Sequence, residues 1–277
     1  MKLRFLRKAY KKRVPSYVYL HTMSPMFHIP KLPRAPLQEV IFELRWKLDF
    51  EPESQSQVDK EIQFAFAKFS TLSADKLKHN VILKPAAVPD ILFANRPIYQ
   101  FWVAPNTYPA FQLGPGVFTV NETEKNYEWE YFRGLILEGM EWLSKSYSNK
   151  LEFSVAELRY IDAIEVNDDN QRDLSKFIAD HLKIEVVNKA ISAKLTDLQL
   201  HQRFKIDNEN SLSLIVTNGR KNINQSKAII LQTSYNKTSN ITFENLIVWI
   251  DVAHKTCSSL FKEMISKDLY EQFSKTD

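Results

Sequence analysis

The stretch EVIFELRWKL, residues 39 to 48, constrains the fold more than any other. Val40, Phe42, Leu44, Trp46 and Leu48 alternate with Glu39, Glu43, Arg45 and Lys47. A period of two sends alternate side chains to opposite faces, so this is a strand with one apolar and one charged side. Such a strand needs sheet neighbours and a helix or a second sheet over its apolar side. A chain of 277 residues, 44% hydrophobic and 12% aromatic, has the material for that core.

Upstream, the prolines of KLPRAPL impose an extended approach. Downstream, residues 56–70 space Val58, Ile62, Ala65, Phe66 and Phe69 as one helical face, with Ser54 and Ser56 as caps. From Val81 to Asn121, VILKPAAV, PIYQFWVAP, YPAFQL and GVFTVN read as short meandering strands, with Gly114-Pro115-Gly116 as a turn. Residues 126–147 carry Tyr127, Tyr131, Leu135, Trp142 and Leu143 along a long helix weakened locally by Gly134 and Gly139.

The same order returns. LEFSVAELRYIDAIEV is strand-like, RDLSKFIADHL is a short helix, and strands follow near 191–206, 211–217 and 227–235. Thr242 caps a long helix whose Leu246, Ile250, Ala253, Cys257, Leu260, Phe261 and Met264 share a face, and Ser266 caps a last short helix with Leu269 and Phe273. Corresponding landmarks are offset by 118 (Phe42 to Tyr160), 115 (Gln57 to Arg172) and 117 (Asn126 to Phe243). The expected fold is α+β: a tandem pseudo-repeat of a curved antiparallel sheet backed by a long helix, joined into a saddle like that of TATA-binding proteins. Its first half covers residues 32–149 and its second 150–277.

Charge is unevenly spread. The first 38 residues hold nine Lys or Arg and no acid, which leaves 28 basic against 33 acidic side chains beyond them, although the whole chain is +4. Nucleic-acid affinity needs clustered surface bases, so the global charge is no argument for it. Residues 1–31 form a basic arm with two readings: a loosely attached extension or over-called start, or an arm that touches lipid or nucleic-acid phosphate. It has neither the apolar core nor the cleavage site of a secretory signal. No apolar run reaches the roughly 20 residues of a membrane span. The single cysteine, Cys257, makes no internal disulfide and fits a reducing cytoplasmic interior.

Five glycines form neither G-x-x-x-x-G-K-[ST] nor G-x-G-x-x-G, so a phosphate-cradling loop is not expected. Six histidines, at 21, 28, 79, 181, 201 and 254, make no HxxH or HExxH pair, and neither a metal nor any other cofactor is expected. Asp251 and His254, three apart on the last long helix, share a face and read as a helix-surface hydrogen bond before a proton relay. The most unusual polar set is Arg159, Asp162 and Glu165, mirrored by Glu43 and Arg45. Paired strands would let these form cross-strand salt bridges or a ligand-binding surface. Glu43, Asp162 and Asp251 could in principle hold a nuclease metal, without the expected spacing. Tyr99, Phe101, Trp102, Tyr108 and Phe111 read as core before a base-stacking platform.

The blocks APLQEVIFELRW, QLGPGVFTVN, LRYIDAI and AHKTCSSLFKEMISKDLYEQF together resemble a sporadically distributed bacterial family of uncharacterised proteins, over roughly residues 32–273. The resemblance implies no catalytic residue, and its patchy distribution implies strain-specific systems such as phage defence or toxin neutralisation. The expected function is a cytoplasmic, non-enzymatic protein-interaction module with a partner encoded nearby. The candidate surface is Glu43, Arg45, Arg159, Asp162, Asp251 and His254. The alternative is a nucleic-acid binder or metal-dependent nuclease; the balance of residues is against an enzyme.

Overall fold

The computed structural model of the chain describes residues 31–166, 174–191, 193–221 and 226–276, the side chain of Glu124 excepted. The basic arm expected over residues 1–31 lies outside the described residues, apart from Lys31.

The chain is mixed α+β, and its centre is β1 (Leu37–Trp46), the strand the alternation predicts. One edge of β1 pairs with β7 (Val117–Thr123) and the other with β8 (Phe153–Glu165), both antiparallel. Outward from β7 lie β6 (Thr107–Gly114), β5 (Tyr99–Ala104) and β4 (His79–Ile82). Outward from β8 lie β11 (Lys227–Lys237), β10 (Asn210–Arg220) and β9 (Gln199–Lys205). The result is one nine-stranded antiparallel sheet, ordered β4-β5-β6-β7-β1-β8-β11-β10-β9.

Among the described residues five α-helices cover one face of it: α1 (Ile62–Ser73), α2 (Trp129–Ser146), α3 (Leu174–Leu182), α4 (Phe243–Met264) and α5 (Lys267–Ser274). Val40, Phe42, Leu44 and Trp46 of β1 join α1, α2 and α4 in a core rich in rings. Phe69 of α1 is central there, its ring 4.6 Å from Phe101, 5.8 Å from Phe118 and 5.7 Å edge-on from Trp142. A second cluster packs α3 and α5 on Ile164, Leu214, Val216, Ile229 and Leu231. Alternation along β8, β10 and β11 puts these on the same side of the sheet as the first cluster.

Both predicted caps of the second half form. Thr242 accepts from the Asn245 amide while Asn245 reaches back to the Thr242 amide, and Ser266 accepts from the Leu269 amide. The two glycines of α2 differ in kind. A Cβ on Gly139 would meet the Phe111 and Phe118 rings at 2.8 Å, whereas Gly134 has nothing within 4 Å. Gly139 therefore lets α2 approach β6 and β7 closely. Gly116, at φ +76°, makes the β6–β7 turn in a conformation that side chains resist.

The first helix starts later than its serines suggest. Asp49–Glu51 (β2) and Ser56–Val58 (β3) pair as a small hairpin, with Gln55 at φ 50° in its turn. Ser54 and Ser56 thus serve a turn, and α1 begins at Ile62 without a side-chain cap. In the second half β9 begins only at Gln199.

Candidate functional site

Among the described residues the opposite face of the sheet carries no helix, and its side chains are polar at the centre. On β1 this face shows Glu39, Ile41, Glu43 and Arg45; on β8 it shows Glu157, Arg159 and Ile161, by alternation with the buried residues between them. The register seats Glu43 directly opposite Glu157, and Ile41 opposite Arg159.

Two like charges across a ladder repel, and arginines on the same strands resolve the conflict. Arg45 Nε donates to Glu43 at 2.6 Å. Arg159 grips Glu157 with two bonds of 2.9 and 2.7 Å, and its Nη2 lies 3.8 Å from the other Glu43 oxygen. Burial alone would raise the Glu157 carboxyl, but the hydrogen bond and charge of Arg159 outweigh it and hold the pKa below the ordinary value. The two glutamate side chains are only 11% and 14% exposed. Chain Arg45–Glu43–Arg159–Glu157 is therefore a fixed, mutually neutralised network rather than a set of free charges.

A second polar row continues on the β7 side. Asn121 donates to Glu39 at 2.8 Å, and Thr119 donates to the Asn121 carbonyl oxygen at 2.7 Å. The Tyr108 hydroxyl lies 3.5 Å from Glu39, with its ring edge-on to Trp102 at 5.2 Å. Burial, then the nearby Glu39 carboxylate, pushes the Tyr108 hydroxyl up to about 12, so it stays a donor. On the β11 side Ser213 and Ser234 are cross-strand partners, and the buried Ser213 hydroxyl has no partner among the described residues.

Of the sequence-predicted residues, Glu43, Arg45 and Arg159 come together here. Asp162 does not. It is three residues from Arg159, an odd number, so the strand turns it to the helix side, beside Leu37 and Leu231. There it is 5% exposed, and burial alone raises its carboxyl to about 7. Glu165 returns to the open face and pairs with Lys221 at 3.1 Å.

Asp251 and His254 each bond to another element of the fold. Asp251 accepts two bonds from Arg133 of α2, at 2.9 and 3.2 Å. His254 Nδ1 lies 2.7 Å from the Tyr160 hydroxyl, which in turn is 2.9 Å from the Tyr127 hydroxyl, and the Trp129 ring stacks on the imidazole at 4.0 Å. This is an inter-element clamp tying α4 to β8 and to the start of α2. Glu43, Asp162 and Asp251 thus sit on the open face, under the helices and on the α2–α4 surface respectively, and no single ion could bridge them. Among the described residues no group of three or more His, Cys, Asp or Glu side chains is placed to hold a metal ion.

Glu157, Asn121 and Thr119 are not singled out by the sequence, which places Glu39 only on the charged side of β1. Glu157 carried a usable signal: Glu-Leu-Arg occurs twice, at 43–45 and 157–159, and each copy puts its acid and base on the same side of a strand. Asn121 and Thr119 carried none, because their role depends on the β1–β7 register. Tyr99, Phe101 and Phe111 are core, as expected, whereas Trp102 and Tyr108 belong to the open face.

No helix among the described residues is long and apolar enough to cross a membrane. Comparison with protein-family models, with curated proteins and with solved structures gave no match, so the surface is interpreted from its own geometry.

Proposed function

We propose that the chain is a non-enzymatic protein-interaction module, working in the cytoplasm, whose contact surface is the sheet face opposite the five described helices. One observation carries this reading: the acids and bases at the face's centre are locked to one another at 2.6–2.9 Å. A pre-ordered polar surface loses little entropy when a partner docks, and its charge pattern rejects wrong partners. Groups already neutralised by one another are poor general acids or bases. The assignment to strain-specific systems, phage defence or toxin neutralisation among them, rests on the block resemblance alone.

We further read the fold as two fused copies, each strand-helix-strands-helix, forming a saddle akin to that of TATA-binding proteins. The strand order supports this, since β7, β6 and β5 flank β1 as β11, β10 and β9 flank β8. The facing Glu-Leu-Arg tripeptides support it too.

The test is purification after co-expression with the adjacent genes. A stable copurifying protein, lost on Arg45→Glu or Arg159→Glu in a chain that keeps its circular dichroism, is the expected result. Purification of the chain alone under those conditions sinks the proposal.

A nucleic-acid reading finds its support in three bases of β9, His201, Arg203 and Lys205, which alternation puts on one face. It requires retention of DNA or RNA at low salt that falls steeply as salt is added.

A further inference from the structure

The nine-stranded sheet ends in two edges among the described residues, β4 with four residues and β9 with seven. Strand β9 pairs with β10 from Gln199↔Thr217 to Lys205↔Ser211, so half of its backbone N–H and C=O groups point away from the sheet. These groups are a template for another strand. The geometry points to β9 as the docking edge for an extended acidic segment of the protein partner, added as a tenth strand.

The side chains define what fits. Gln199, His201, Arg203 and Lys205 alternate onto the open face and are exposed, and β9 contains no acid. Beyond the backbone ladder to β10, no side-chain hydrogen bond or ion pair joins His201, Arg203 or Lys205 to another described residue. On the other side of the strand stand Leu200, Gln202 and Phe204, with Phe204 45% exposed and Ile206 just beyond it 49% exposed. A tenth strand would set its own alternate residues beside these two rows. Acids on one side and apolar groups on the other satisfy both.

A second copy of the chain fits worse. Antiparallel pairing of β9 with itself about Gln202 would oppose His201 to Arg203, concentrating like charge along the new ladder. Basic residues on an edge are also a defence against self-association. In β9 that defence and acidic selectivity have the same origin.

This inference rests on the protein-interaction reading and narrows the partner's chemistry. The probe is a capped peptide of about nine residues in which Glu alternates with Val, added to the full chain. Binding should shift the backbone amide resonances of residues 199–205. It should weaken about tenfold or more in Arg203→Glu/Lys205→Glu, with the variant's thermal midpoint confirming its fold, and vanish when alternate peptide nitrogens are methylated. Arg45→Glu, on the sheet's centre, should leave peptide affinity unchanged. Equal binding by a Lys-Val peptide or by the methylated peptide overturns the inference. So does absence of binding at about 1 mM, or displacement of the peptide by a single-stranded oligonucleotide that binds more tightly. If a natural partner copurifies and is lost on Arg45→Glu while the peptide fails, the edge inference falls and the sheet-face reading stands. If the peptide behaves as expected but no neighbouring protein copurifies, the converse holds.

Discussion

Glu43 and Glu157 face each other across the central β1–β8 ladder, and each is held by an arginine of its own strand. Truncating Arg159 leaves two largely buried carboxylates opposed with one base between them. Arg159→Ala should therefore cost about 2–4 kcal/mol of unfolding free energy, read from urea denaturation. Glu157→Gln combined with Arg159→Met should recover most of it, since a neutral pair removes the repulsion with the attraction. Equal losses in the single and double variants would show that the network is not coupled.

Asp162 sets a pH dependence. Its carboxyl has an ordinary value of 3.8 and titrates at about 7 in the folded chain, because burial disfavours the charged form. Between these values the native state holds a proton that the unfolded state has lost, so stability falls as pH rises from about 4 to about 7 and levels off above. Asp162→Asn should abolish that slope and stabilise the chain at neutral pH by an amount on the order of 3 kcal/mol. A wild-type thermal midpoint that rises across this window, or a slope unchanged in the variant, would contradict the assignment.

The two glycines of α2 should respond in opposite directions. Gly134→Ala enters open space and gains helix propensity, about 0.5–1 kcal/mol. Gly139→Ala gains the same propensity but drives a methyl into Phe111 and Phe118, and overpacking of this kind costs about 1–3 kcal/mol. Paired melting curves decide it.

Cys257 should be silent towards thiol reagents in the native state. It is 1% exposed, and burial, followed by the charges of Asp162 and Glu157, pushes its thiol far above the ordinary value. Labelling should proceed only through opening of α4, so its rate should track denaturant as global unfolding does. Fast labelling in buffer would mean that α4 detaches on its own.

What could be read in the sequence follows the physics of each element. The β1 alternation, the Thr242 and Ser266 caps and the α4 face were legible because local spacing determines them. Local spacing starts α1 too early because Ser54 and Ser56 suit turns as well as caps, and the β2–β3 hairpin that employs them depends on distant packing. Asp162 is close to Arg159 in sequence, but strand parity alone separates the two. Arg133 as the partner of Asp251, and Tyr160 as that of His254, could not be read at all: those pairs are 118 and 94 residues apart.

The place of β1 has a consequence for how the molecule is made. It is made before the other strands it joins in the sheet, yet one flank is completed only by β8, whose Glu157 lies 114 positions later than Glu43. Until that strand arrives, β7 can zip onto one side while the other side stays an open seam of unsaturated amides and carbonyls. The seam closes late, across a long loop, which is the slow kind of nucleation and the kind most exposed to mispairing. Guarding that nascent flank with charge is a service that Glu39, Glu43 and Arg45 can render before any partner is met.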